Sequence, residues 1–220
     1  PLLSYRSQNR NAATRKILAL LQEGKNLAFV SDAGMPGIQD PGLELVRILE
    51  EKGLDFEVLP GPSSLLLAVV YAAFPDPGFT FLGFLPRRGG ERKELLKKSL
   101  SSSFSVVLYE SPHRLKKTLQ DIWKLAGDSR RVVLVRELTK LYQTVQRGTI
   151  AGILREMSSQ EVKGEIALVI EGCKGDSFLL PGKLVEMLRE KGLTKKDIVE
   201  VLSEGLSIPK GVIKRDLQKK

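Results

Sequence analysis

The sequence predicts an α/β protein. Short apolar, β-branched runs alternate with longer segments of helical period. Glycine- and proline-rich segments follow several of the strand-like runs directly, the position where open α/β sheets bind ligands. With 220 residues, 42% of them apolar, the chain can build a core as one large domain or two small ones.

Residues 11–23 place Ile17, Leu18 and Leu21 on one helical face, and Gly24 follows as a stop. Residues 26–31 (NLAFVS) read as a buried strand. Residues 41–52 read as a helix with Asp40 as N-cap and Pro41 in its first turn, ended by Gly53. Residues 55–59 (DFEVL) read as the next strand. Residues 63–73 are apolar nearly all round, which predicts a buried helix. The run FPDPG at 74–78 marks a turn or boundary. Beyond it, strands are expected at 79–84, 104–110, 131–137, 143–147 and 165–171, with helices at 91–101, 112–126 and 149–158. This half reads as mixed rather than purely parallel. From about 180 to 220 the pattern predicts three short helices, opened by Pro181 and interrupted at Gly192 and at Gly205 to Pro209. The expected division is 1–75, 76–175 and 176–220.

The charge balance narrows the partners. The net charge is +9, which suits a polyanion, because Lys and Arg displace counterions from phosphates. Solubility alone is the plainer explanation. The excess is uneven: residues 86–98 hold Arg87, Arg88, Arg92, Lys93, Lys97 and Lys98 against Glu91 and Glu94. No run approaches the roughly 18 apolar residues of a membrane span. Cys173 is the only cysteine, so no internal disulfide and no Cys/His zinc cluster is expected, and a reducing, cytoplasmic setting fits.

Five segments carry candidate chemistry. Ser31 to Gly42 (SDAGMPGIQDPG) is a glycine-rich loop after a strand-like run, where backbone can approach a ligand closely. It matches neither the dinucleotide fingerprint nor the Walker A loop. Pro60-Gly61-Pro62-Ser63-Ser64 opens a helix, with Ser63 or Ser64 as cap or ligand contact. Tyr109-Glu110-Ser111-Pro112-His113-Arg114 holds the only histidine. Arg136-Glu137-Leu138-Thr139-Lys140 sits at another strand end. Arg87, Arg88, Arg92 and Lys93, around Gly89-Gly90, form a candidate phosphate-binding loop, or simply an exposed one.

These five segments and a sixth run occur together and in order: SDAGMPGIQDPG (31–42), LPGPSS (59–64), GFLPRRG (83–89), LYESPHR (108–114), RELTK (136–140) and GEIALVIEG (164–172). On them the chain resembles the ribosomal RNA small subunit methyltransferase I family, within the tetrapyrrole methylase-like superfamily. The resemblance covers residues 10–175 closely and the C-terminal helices loosely. It implies a bilobed α/β fold with S-adenosylmethionine in the cleft, and a small C-terminal helical segment. It implies methylation of a cytidine ribose 2′-hydroxyl in the decoding region of 16S rRNA of the small ribosomal subunit, by a homodimer. It points to Ser31, Asp32, Ala33, Gly34, Met35, Ile38, Ser63, Ser64, Leu108, Tyr109, Ala167 and Leu168 as cofactor contacts. The family's opening strand, with its Pro-Ile-Gly-Asn loop, and a following Glu-Asp-Thr-Arg segment are not present here. The first strand of the first lobe is therefore expected to be missing, and part of the cofactor site stays unassigned.

Methyl transfer to a hydroxyl needs positioning above all, aided by a base for the leaving proton. The candidate bases are Glu110, His113 and Glu137, and Lys140 or Arg114 is placed to hold phosphate. Two other readings stay open: a tetrapyrrole methyltransferase, against which the charge and the basic loop argue, and a catalytically silent RNA-binding module, which would bind no cofactor.

Overall fold

A computed structural model describes residues 2–157, 162–173, 182–206 and 210–218. The chain divides into two compact units, Pro1–Leu66 and Leu67–Lys220. In the first, helices α1 (Arg10–Gln22) and α2 (Leu43–Glu51) bury Ile17, Leu45 and Leu49 together, with Leu3, Tyr5, Leu18, Leu21 and Leu54 packed at the margin. Arg10 on α1 pairs with Glu44 on α2 at 2.9 Å. The α2 boundary differs from the sequence reading. Its N-cap is Gly42, not Asp40, and Pro41 lies before the helix. The cause is steric: Gly42 has φ 136°, and a Cβ there would sit 2.8 Å from the Phe29 ring.

The strands expected at 26–31 and 55–59 are absent. No backbone ladder among the described residues reaches either segment, and a strand exists only through such pairing. Leu27, Phe29, Val30, Phe56, Val58 and Leu59 are exposed rather than buried. Helix α3 (Ser64–Ala72) also departs from expectation. It buries Ala68 and Ala72 but leaves Leu66 and Val70 exposed. A helix apolar all round has no polar stripe to say which side meets solvent.

The second unit is built on a mixed sheet: β1 (Phe79–Phe84), β2 (Ser105–Glu110), β3 (Arg131–Arg136), β4 (Thr144–Thr149) and β5 (Ile166–Ile170), in the order β1-β2-β5-β3-β4. Strands β1 and β2 are parallel, while β5 runs antiparallel to both β2 and β3. Hence β1, β2 and β3 all point the same way and end on one edge of the sheet. The register sets Glu110 and Arg136 on either side of Ile166. Strand β1 carries a bulge: Phe81 faces Val107 and Phe84 faces Tyr109, so one extra residue intervenes, with Gly83 at φ 60°.

Helices α4 (Gly90–Leu100), α5 (Pro112–Ala126) and α6 (Ile150–Glu156) share one core with the sheet. Leu96, Leu100, Leu115, Leu119, Ile122, Ile150 and Ile153 meet Val106, Leu108, Val132, Leu134, Ile166, Leu168 and Ile170 there. Alternation along the strands places Val107, Val133, Val135 and Val169 on the other face, also buried. Helix α5 has the bounds its punctuation predicts, with Pro112 in its first turn and Gly127 (φ 79°) at its end.

The three C-terminal helices are α7 (Gly182–Glu190), α8 (Lys195–Leu206) and α9 (Lys210–Asp216). They close over Val185, Ile198, Val199, Leu202, Ile213 and Leu217. Thr194 and Asp197 cap α8 reciprocally, at 2.9 and 3.3 Å. The breaks expected at Pro181 and Pro209 lie outside the described residues. Among those residues no helix is long and apolar enough to cross a membrane.

Candidate active site

In the first unit, two of the motifs lie against each other. The Ser31 hydroxyl donates to the Gly34 carbonyl at 2.8 Å and folds the SDAGMP loop on itself. Gly34, at φ 75°, puts its missing Cβ 3.8 Å from the Pro62 carbonyl, so the SDAGMP and PGPSS turns are neighbours. Ser63 Oγ accepts from the Leu66 N–H at 3.4 Å and caps α3, as its place in the sequence predicts. Asp32, Ala33, Gly34 and Ile38 are exposed, Met35 half-buried, and Ser64 exposed. Asp32 has no hydrogen-bond or ionic partner among the described residues. The combination is an exposed carboxylate, apolar Met35 and Ile38, and open glycine backbone. It suits a ligand with an apolar body and cationic or hydroxyl groups, which is the chemistry of a sulfonium nucleoside.

In the second unit, the remaining motifs collect at the edge where β1, β2 and β3 end. GFLPRRG leaves β1, YESPHR leaves β2, RELTK leaves β3, and GEIAL enters β5. Alternation separates the expected cofactor residues here. Leu108 and Leu168 are fully buried in the core beneath the helices, so only their main chain is available to a ligand. Tyr109 and Ala167 are cross-strand neighbours on the other face. Tyr109 stacks edge-on against Phe81 at 5.0 Å and is tilted against Phe84 at 5.8 Å.

The charged candidates separate as sharply. Glu110 is the last helix-side residue of β2, and its side chain is fully enclosed. Its carboxylate accepts from the Ser111 N–H at 2.8 Å and from the Thr118 hydroxyl at 2.5 Å, and pairs with Arg114 at 3.3 Å. Arg92, expected in an exposed phosphate-binding loop, is instead buried on α4. It donates to Asp121 Oδ2 at 3.1 Å, to Thr118 Oγ1 at 2.8 Å and to the Pro86 carbonyl at 3.2 Å. Arg114 donates to the Leu85 carbonyl at 2.7 Å. Arg87, Arg88 and Lys93 are exposed, and no partner among the described residues occupies Arg87 or Arg88. His113 is exposed in the first turn of α5.

Glu137 and Thr139 both adopt left-handed backbone, at φ 49° and 65°, a conformation that side chains disfavour and functional turns concentrate. The Glu137 carboxylate accepts from the Glu165 N–H at 2.8 Å and from Lys140 at 3.2 Å. The Glu165 amide, then the Lys140 ammonium, hold its pKa below the ordinary carboxylate value. Bonds to Glu165 and then Glu137 raise the Lys140 pKa in return. Gly164 permits this closeness: a Cβ there would lie 2.5 Å from the Glu137 carboxyl group. Sequence reading missed Thr118, Asp121, Gly164 and Glu165. Gly164 and Glu165 were visible only as the opening of the GEIALVIEG motif, and Thr118 as a polar residue on the stripe of Leu115, Leu119 and Ile122.

The fold and the loops define a methyltransferase of the tetrapyrrole (corrin/porphyrin) methylase class, whose family model matches residues 3–154. The CobJ methyltransferase superposes with TM-score 0.61 at 18% identity, covering 79% of this chain and 74% of that one. Uroporphyrin-III C-methyltransferase of Thermus thermophilus, complexed with S-adenosyl homocysteine, gives 0.54 at 17% identity over 76% and 75%. The ribosomal RNA small subunit methyltransferase I of Thermotoga maritima is 44% identical over 172 residues, 78% of this chain and 77% of its own length. That of Bacillus subtilis is 35% identical over 219 residues, 96% of this chain and 75% of its own. The chain belongs to the ribosomal RNA small subunit methyltransferase I family.

Proposed function

We propose that this enzyme transfers a methyl group from S-adenosylmethionine to the 2′-hydroxyl of a cytidine ribose in 16S rRNA of the small ribosomal subunit. The observation that carries the RNA reading is the pair of exposed, unpartnered arginines, Arg87 and Arg88, at the sheet edge where the motifs gather. The relatives' shared name supports the same substrate.

The bound cofactor supplies an electrophilic methyl on sulfur. Asp32 and the Ser31–Ile38 turn, with Ser63 and Ser64, hold it, and Met35 and Ile38 cover its apolar surface. Arg87, Arg88 and Lys93 take backbone phosphates. Lys140 remains half-exposed despite its two carboxylate partners and extends that cationic edge. The cofactor would give up this methyl to the ribose oxygen, and the hydroxyl proton would then have to pass to a group of the protein. Both oxygens of the enclosed Glu110 are engaged by donors, and Glu137 holds the Glu165 N–H and Lys140 through Oε1, whereas His113 is exposed, and we assign the proton to His113 among the three candidates. The exposed Leu141 and Tyr142, in the turn between β3 and β4, offer apolar surface for a homodimer. A cytoplasmic setting fits this assignment.

The test is transfer of labelled methyl to small-subunit RNA, followed by mapping of the ribose modified. Asp32→Ala is expected to weaken cofactor binding at least about tenfold, read by calorimetry. His113→Ala is expected to slow single-turnover methylation by about 10²-fold or more with RNA binding intact. Label on a tetrapyrrole but not on RNA would overturn the substrate; no cofactor binding would overturn the enzyme reading.

A further inference from the structure

Five side chains from three elements converge on the two carbonyls that precede Arg87. Arg114 on α5 donates to the Leu85 carbonyl at 2.7 Å and the Pro86 carbonyl at 3.3 Å. Arg92 on α4 donates to the Pro86 carbonyl at 3.2 Å from its other side chain nitrogens' opposite end, Nη1. Each guanidinium is itself held. Asp121 receives Nε and Nη2 of Arg92, both at 3.1 Å, and Glu110 receives Nε of Arg114 at 3.3 Å. Thr118 joins the halves: its hydroxyl accepts from Arg92 Nη2 at 2.8 Å and donates to Glu110 Oε2 at 2.5 Å. Its centre is buried, with Arg92, Thr118 and Glu110 each no more than 6% exposed, while the side chains of Asp121 and Arg114 remain 30% and 28% exposed.

We infer that this network is a positioning device: it pins the Leu85–Pro86 step and thereby fixes where Arg87 and Arg88 meet RNA. Its charges balance, two guanidiniums against two carboxylates, so it carries no net charge to attract a polyanion and acts chiefly through geometry. The Leu85 side chain is also anchored in the core, so the network adds to that anchor by fixing the orientation of the two peptide groups. Beyond Pro86 the loop runs through Gly89, at φ 97°, and Gly90, and a Cβ at either would meet nothing within 4 Å. Such a segment samples many conformations unless its root is fixed. Two arginines on a fixed root are held ready for phosphates and lose less freedom on binding. Arg92 and Arg114 are thus positioning residues, and the RNA contacts belong to Arg87 and Arg88.

The inference rests on the reading of Arg87 and Arg88 as RNA contacts, and the test separates the two. Thr118→Val removes the bridging hydroxyl at nearly constant shape. Arg114→Lys keeps the charge but loses the fork that spans a carboxylate and two carbonyls. Thr118→Ser restores the hydroxyl. Each is made alone and with Arg87→Ala/Arg88→Ala. Methylation of small-subunit RNA is measured at steady state, with thermal melting and S-adenosylmethionine calorimetry alongside. Thr118→Val and Arg114→Lys are expected to raise the RNA KM about five- to tenfold with kcat and cofactor affinity within about twofold, while Thr118→Ser behaves as the parent. The rise is expected to vanish once Arg87 and Arg88 are gone, because the network then has nothing to position. A KM effect of equal size in both backgrounds, or an unchanged KM in variants that melt lower, would make the network structural only and overturn the inference. If Arg87→Ala/Arg88→Ala alone leaves KM unchanged, the RNA reading of the loop fails first.

Discussion

At the edge of the sheet where β2 and β3 begin and β5 ends, every charge described is closed into the fold. Asp76 accepts from the Gly172 N–H at 2.9 Å and from the Ser105 hydroxyl. Arg131 pairs with Glu171 through two nitrogens and lies 5.1 Å over the Phe74 ring. Arg130 donates to the carbonyls of Glu171 and Leu100. The opposite edge keeps its buried charges paired too, but adds the unpartnered Arg87 and Arg88 and the left-handed Glu137 and Thr139. On the proposed function, one edge of the sheet serves cohesion and the other serves binding. Substitutions at the first should cost stability, and at the second should cost activity.

The largest contrast is expected from Gly172→Ala. Its Cβ would fall 2.0 Å from the Ser103 carbonyl oxygen, a backbone atom that cannot step aside. A loss of about 3 kcal/mol in urea unfolding is expected, with methylation per folded molecule unchanged. Arg87→Ala/Arg88→Ala should do the reverse. Unfolding stays within about 0.5 kcal/mol of the parent, RNA affinity falls about tenfold, and the log–log salt slope shrinks by about two. A stability loss there would erase the distinction between the edges. The smallest effect concerns Glu137. Its folded pKa lies below the ordinary carboxylate value, so its ionised form stabilises the turn above that value and this contribution is lost as the pH falls through the depressed pKa. The Glu165 amide, bonded to it at 2.8 Å, should lose hydrogen-exchange protection on acidification beyond the intrinsic trend. Glu137→Gln should remove that pH dependence; an amide indifferent to both would deny the carboxylate its hold on the turn.

Much of the second unit was legible before any coordinates. Runs such as VVLVR and IALVI read as strands and form strands buried on both faces, and Ser111-Pro112 with Gly127 delimits α5. The first unit was less so. NLAFV and DFEVL declare a preference for extended, buried backbone, but a sequence run does not name the partner that would pair with it, and here none does among the described residues. The site was legible as motifs and not as roles. Arg92 sits in a basic, glycine-flanked stretch and reads as solvent-facing, yet it is turned inward by Asp121, 29 residues away. That contact depends on how α4 and α5 pack. Glu110 likewise reads as a candidate base until Thr118 and Ser111 are seen to fill its oxygens.

The bulge in β1 carries a consequence for the reading frame of the whole edge. Because one residue is looped out near Gly83, Leu85 returns to the core at 2% exposure while Phe84 points outward. Pairing the same residues with β2 without the looped-out one would set Phe84 opposite Glu110 and invert every side chain from there on. Phe84 would be driven inward, Leu85 outward, and the peptide groups offered to Arg114 and Arg92 would turn away. An unbulged strand of the same length would therefore make a more regular sheet and start the loop on the wrong face: the irregularity works as a phase shifter between a scaffold that repeats every second residue and a loop that must start on a chosen face.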